Sequence, residues 1–86
     1  MNERDVRNKV WAFIEPQTVG RNPSDSDDLF AEGYVNSLFA MQIVRFIQSQ
    51  FDLTLTAEDM NFDNFRTIGG IVQFVESKLA RVETAP

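Results

Sequence analysis

Val6, Val10, Phe13 and Ile14 fall at i, i+4, i+7 and i+8, which places one apolar stripe along a helix. Pro16 is expected to close that helix, because the residue before a proline avoids the helical region. Residues 17–36 then carry Gly20, Pro23, Gly33 and a polar cluster from Ser24 to Asp28. This pattern predicts a long loop with two apolar pins, Leu29 and Phe30. Loops of that length inside a compact domain are uncommon and are often functional.

A second helix is predicted over 37–51, a stretch free of proline and glycine. At about 100° per residue, Ala40, Ile43, Val44, Phe46, Ile47 and Phe51 gather on one broad face, and Gln42, Arg45, Gln48 and Ser49 on the other. Asp52 to Thr56 make a short connection. Thr56 is expected to cap a brief third helix, with Glu58 and Asp59 in the first turn where the dipole favours them. Thr67 then caps a last helix with the stripe Ile68, Ile71, Val72, Val75 and Leu79. Gly69 and Gly70 weaken its start by roughly 1 kcal/mol each relative to alanine, and permit close backbone approach instead. The tail from Glu83 to Pro86 is expected to fray. The pattern as a whole predicts an all-α chain: three main helices, one short helix and a long first loop, packed as a small bundle. Residues 1–86 are expected to form one domain without repeats.

Composition narrows the chemistry. A chain of 86 residues buries only about 60% of the surface its unfolded form exposes, which leaves room for one modest core. The chain has 13 acidic against 8 basic side chains, for a net charge of -5. Nucleic-acid phosphates are repelled by such a surface, whereas basic protein patches are steered toward it. Cysteine and histidine are both absent. This removes a thiolate nucleophile, a zinc–sulfur site, the usual base near neutral pH and any Ser-His-Asp triad. No apolar run approaches the roughly 20 residues needed to cross a bilayer, and the charged N-terminus has no signal region. A cytoplasmic, monomeric protein is expected, with neither membrane nor nucleic acid among its partners.

The chemistry concentrates in Asp28-Leu29-Phe30-Ala31-Glu32-Gly33-Tyr34-Val35-Asn36-Ser37-Leu38. Asn36 is a good N-cap, and Ser37 follows in the first turn, where an anionic ester would meet the positive end of the helix dipole. On its own, an Asn-Ser pair before a helix is an ordinary cap. Here Leu29, Phe30, Gly33, Ser37 and Leu38 match in register a signature that reads roughly Leu-Phe-x-x-Gly-x-x-Asp-Ser-Leu. Over about residues 5–80 the chain resembles the acyl carrier protein family. Phe51-Asp52, Asp59, Phe65 and Thr67-Ile68 fall where that family has related features. The resemblance implies a four-helix bundle of acyl-carrier type. It also implies a 4'-phosphopantetheine arm, installed from coenzyme A on Ser37 by a phosphopantetheinyl transferase. Acyl thioesters would then shuttle between acyl-loading and acyl-processing enzymes or synthase modules, and the carrier itself would not be catalytic.

Two departures from the family pattern stand out. Asn36 replaces the usual aspartate, which keeps a capping oxygen and loses a charge. On the second helix Gln42, Gln48 and Gln50 replace the usual acids, and Arg45 adds a positive charge. Partner recognition by Asn36, Leu38, Met41, Gln42 and Arg45 is therefore expected to be less electrostatic, with Leu38 and Met41 as an apolar docking patch. Acidic steering is expected from Glu58, Asp59 and Asp63. Because the chain begins at Met1 and holds one domain, it resembles a discrete carrier. Its Asn-Ser-Leu-Phe-Ala-Met and Asn64-to-Ile68 stretches resemble carriers of polyketide or hybrid peptide antibiotic biosynthesis, some of which hold alkoxy-, hydroxy- or aminomalonyl units. The alternatives are an aminoacyl, D-alanyl or peptidyl carrier and a helical interaction module without a prosthetic group.

Other sites are weaker. Counted from Asp25, the sixth and twelfth positions of a calcium loop hold Phe30 and Asn36 instead of glycine and glutamate. Glu58 and Asp59 are explained by capping. The eight phenylalanines and Trp11 are expected to fill the core.

Overall fold

The computed structural model describes residues 2–84. Helix α1 spans Glu3–Thr18, α2 Ser37–Phe51 and α3 Ile68–Thr84, and two 3-10 turns, Glu58–Met60 and Phe62–Phe65, link α2 to α3. The architecture is all-α, with three main helices, a short helical link and a long first loop, as the sequence pattern predicts.

The carboxamide of Asn2 starts α1 by accepting the Asp5 N–H at 2.9 Å, and Glu3 and Asp5 place acid in the first turn. Val6, Val10, Ile14 and Thr18 form its buried stripe. Pro16 does not close the helix, which runs two residues further to Thr18. A proline in the last turn forfeits only one backbone bond. Thr18 holds that turn by donating its hydroxyl to the Glu15 carbonyl at 2.8 Å and by being buried. The terminator is instead Val19, at φ 52°, followed by Gly20, at φ 79°. A left-handed β-branched residue is costly.

The buried face of α2 is Phe39, Ile43, Val44, Ile47 and Phe51. Ala40 and Phe46, expected on that face, are half-buried. Phe39, absent from the expected face, is buried in helical register with Ile43 and Ile47, and Phe13 of α1 stacks on it at 5.2 Å and on Phe46 at 4.3 Å. Aromatic filling is thus partly superficial. Trp11, Phe13, Phe30, Phe46 and Phe74 all keep some exposure, and the Phe62 side chain lies outside the description. Beyond α2, Leu53 and Leu55 point inward from an extended connection.

Thr56 does not cap a third α-helix with its side chain. The Asp59 carboxylate reaches back to accept the Thr56 N–H at 2.8 Å, while the Asp59 N–H donates to the Thr56 carbonyl at 3.0 Å. Asn61, extended at ψ 123°, divides the segment into two turns and caps the second through the Asp63 N–H. Phe65 is buried edge-on against Phe74 at 5.5 Å.

Thr67 does cap α3, accepting the Gly70 N–H at 2.9 Å. Gly69 donates to the Asp25 carbonyl at 3.0 Å, and a Cβ there would meet that oxygen at 3.2 Å, so the expected close approach is made against the first loop. Ile68, Ile71, Val72 and Val75 are buried. α3 packs on α1, α2 and the second 3-10 turn, which puts it at the centre of the core. The tail expected to fray is helical as far as Thr84, and Ala85 and Pro86 lie outside the described residues.

Candidate functional site

The first loop is irregular in shape, yet its backbone is tied at several points. The Asp28 Oδ1 accepts the Phe30 and Ala31 N–H groups at 3.0 and 2.9 Å, which fixes a turn. Its Oδ2 accepts from Arg66 Nε at 2.9 Å and lies 2.8 Å from Arg66 Nη2. Leu29 is fully buried, and its N–H donates to the Arg66 carbonyl at 2.7 Å. The Leu29 carbonyl then accepts the Val35 N–H at 3.1 Å. Gly33 makes the intervening bend at φ 79°, a conformation glycine adopts without steric cost. Arg21 straps the outside, over the Tyr34 ring at 4.2 Å and onto the Glu32 carbonyl at 3.1 Å. Upstream, Arg7 pairs with Asp25.

Buried Val35 hands the chain to Asn36, whose Oδ1 accepts the Phe39 N–H at 3.1 Å. Ser37 follows as the first residue of α2 and is exposed. The first N–H groups of a helix have no intrahelical acceptor, so Ser37 sits where backbone donors and the dipole favour an anion. An ester phosphate on this hydroxyl would fit without displacing a buried group. A groove of about 440 Å³ lies beside the serine, between Gln17 at the end of α1 and Tyr34, Asn36, Leu38 and Gln42.

The expected partner residues separate into two sets. Leu38 and Met41 are 76% and 59% exposed. With exposed Gln42 and Arg45 they form one outward face beside Ser37. Asn36 is exposed, although its side chain is spent on the cap. Glu58 is exposed, and Asp63 is exposed while paired with Arg66 at 3.0 Å. Asp59 departs from expectation. It faces inward to Lys78 at 2.6 Å, with only 13% of its side chain exposed. The Lys78 ammonium, with the Thr56 N–H, holds its carboxyl below the usual range. Asp59 is therefore a structural group and offers no steering charge. The carboxylates weighed for calcium are also turned apart: Asp25 to Arg7, Asp27 to the Ser24 N–H and Asp28 to Arg66.

A family model described as a phosphopantetheine attachment site matches residues 17–75. The chain belongs to that family. The match runs from the last turn of α1 through the first loop, α2 and the link into α3. No curated protein and no solved structure matches the chain significantly. As a member of the phosphopantetheine attachment family, the protein is a carrier whose cofactor is a covalent 4'-phosphopantetheine, on a helical bundle of acyl-carrier type. Carrier domains of this kind are generally non-catalytic and work with phosphopantetheinyl transferases and synthase enzymes. No helix among the described residues is long and apolar enough to cross a membrane.

Sequence reasoning missed Asp28 and Arg66 as organisers of the serine loop. They stand 38 residues apart, so no local spacing announces their meeting. The one available signal was Asp28 two residues before Phe30, a common side-chain-to-backbone turn.

Proposed function

We propose that Ser37 is the attachment point of the 4'-phosphopantetheine arm, and that the protein carries acyl thioesters between enzymes of a polyketide or related antibiotic pathway without catalysing a step itself. When attached, the arm supplies a terminal thiol that holds the acyl group as a thioester. The observation that carries the reading is an exposed serine at the first position of α2, inside the stretch matched by the attachment-site family. The chain's own part is to present and to release. Asn36 starts the helix, Leu29 and Val35 anchor the loop behind it, and the Ser37 hydroxyl is left accessible to a transferase. With no histidine or cysteine in the chain, the base that activates Ser37 belongs to that transferase.

The face of Leu38, Met41, Gln42 and Arg45 is the docking surface of this reading, with Glu58 and Asp63 as its acidic flank. Two large exposed apolar side chains beside the reacting serine support it, since the buried core of an interface is more apolar than the rest of a protein surface. A discrete carrier of an unusual malonyl-type unit is the finer form of the proposal; an aminoacyl or peptidyl carrier would present its serine in the same way.

Intact mass spectrometry after incubation with coenzyme A and a promiscuous transferase tests the assignment. The wild-type chain is expected to gain one phosphopantetheine, and Ser37→Ala to gain none. A gain that survives Ser37→Ala would defeat it.

A further inference from the structure

We propose that Asp28 and Arg66 are a positioning pair that holds Ser37 in the orientation a transferase requires; this rests on Ser37 being the attachment point. The two carboxylate oxygens of Asp28 divide the work. Oδ1 holds the turn through the Phe30 and Ala31 N–H groups, and Oδ2 holds Arg66. Arg66 lies between the second 3-10 turn and Thr67, the cap of α3. Its backbone carbonyl takes the Leu29 N–H, and the Leu29 carbonyl takes the Val35 N–H, two residues before Ser37. Two backbone hydrogen bonds therefore tie the residue just before the α3 cap to the residue just before the α2 cap.

The guanidinium is held in a fixed fork. Nε and Nη2 face Asp28, and Nη1 bonds Asp63 at 3.0 Å. A lysine offers a single point charge and does not reproduce that fork. The pair is half-exposed, so the core does not depend on it. Its loss loosens the loop, which keeps buried Leu29 and its backbone bond to Arg66, and leaves the helices packed. A loop that is open more of the time lowers the fraction of molecules presenting Ser37 correctly. Apparent affinity falls by that fraction, while turnover at saturation is unchanged.

The test compares Asp28→Asn, Arg66→Gln and the double variant with wild type. Mass spectrometry follows transfer from coenzyme A, and amide hydrogen exchange follows the loop. Each single variant is expected to raise the KM for the carrier by up to about fivefold, the limit for a half-exposed pair, with kcat unchanged. The double variant should do no worse than Arg66→Gln alone, because that substitution already removes the contact Asp28→Asn removes, along with the bond to Asp63. The Leu29 and Val35 amides should exchange faster, and those of Ile71 and Val75 at the wild-type rate. Arg66→Lys should fall between. A pair that is only structural would lower Tm and leave KM unchanged, which overturns the proposal. So do single-variant effects that multiply in the double variant. A wild-type chain that gains no mass overturns the carrier reading and this proposal with it. A wild-type chain modified at Ser37, with unchanged KM in the variants, overturns the positioning pair alone.

Discussion

Two carboxylate–cation ties fasten irregular backbone to the α3 side of the molecule, and they are built differently. Asp59 meets Lys78 of α3 at 2.6 Å with 13% and 15% of the side chains exposed. Asp28 meets Arg66 at 2.8 Å with 26% and 46% exposed. Both aspartates also accept backbone N–H groups, from Thr56 in one case and from Phe30 and Ala31 in the other. Position and surroundings set them apart. The drier tie closes the link after α2, where a single cation reaches one carboxylate. The wetter tie lies under the serine loop, where a forked cation is shared between two carboxylates. A desolvated pair resists screening and is costly to break. A half-exposed one contributes little to stability and is suited to fixing a geometry. Similar chemistry thus fastens the scaffold in one place and aims a side chain in the other.

The largest expected effect comes from cutting the drier tie. Asp59→Ala leaves the Lys78 ammonium without its partner in a mostly buried position. It should cost about 2 kcal/mol of unfolding free energy, measured by urea denaturation, with the transferase KM of the folded protein unchanged. A variant as stable as wild type would erase the distinction between the ties.

Acid should act on both ties, through the direction of their titration. The Ala31 N–H foremost, with Arg66 and the Phe30 N–H, lowers the Asp28 carboxyl, and Lys78 foremost lowers that of Asp59. The folded values therefore lie below the unfolded value of about 3.9. The stabilisation is complete above that pH and is lost as pH falls through the folded values. Urea midpoints should drop as pH falls below about 4, and the drop should be smaller in Asp59→Ala than in wild type.

The smallest expected effect is a gain away from both ties. Val19 ends α1 in the left-handed region at φ 52° with 85% of its surface exposed. Val19→Asn should raise stability by about 0.5 kcal/mol, read as a higher Tm, without altering loop exchange at Leu29.

Much of this molecule was legible from spacing. The stripes of α1 and α3, the Asn36 cap, the Thr67 cap and the exposure of Leu38 and Met41 all follow from helical geometry applied to neighbouring residues. The misreadings share a cause. Pro16 signals a helix end locally, but burial of Thr18 carries the helix past it. Asp59 read as a surface acid because Lys78, its partner, stands on α3.

By itself, the sequence determined the helical order, the single serine-bearing motif and the absence of any histidine or cysteine to assist it. These are properties of composition and of residues within a turn or two of one another. Only the tertiary structure decided how the serine loop is held. Arg66 reaches Asp28 across 38 residues, and Gly69 lets the start of α3 approach the Asp25 carbonyl. Contacts between segments distant along the chain form only when packing of the helices brings them together, and helical periodicity carries no record of which side chains will then meet.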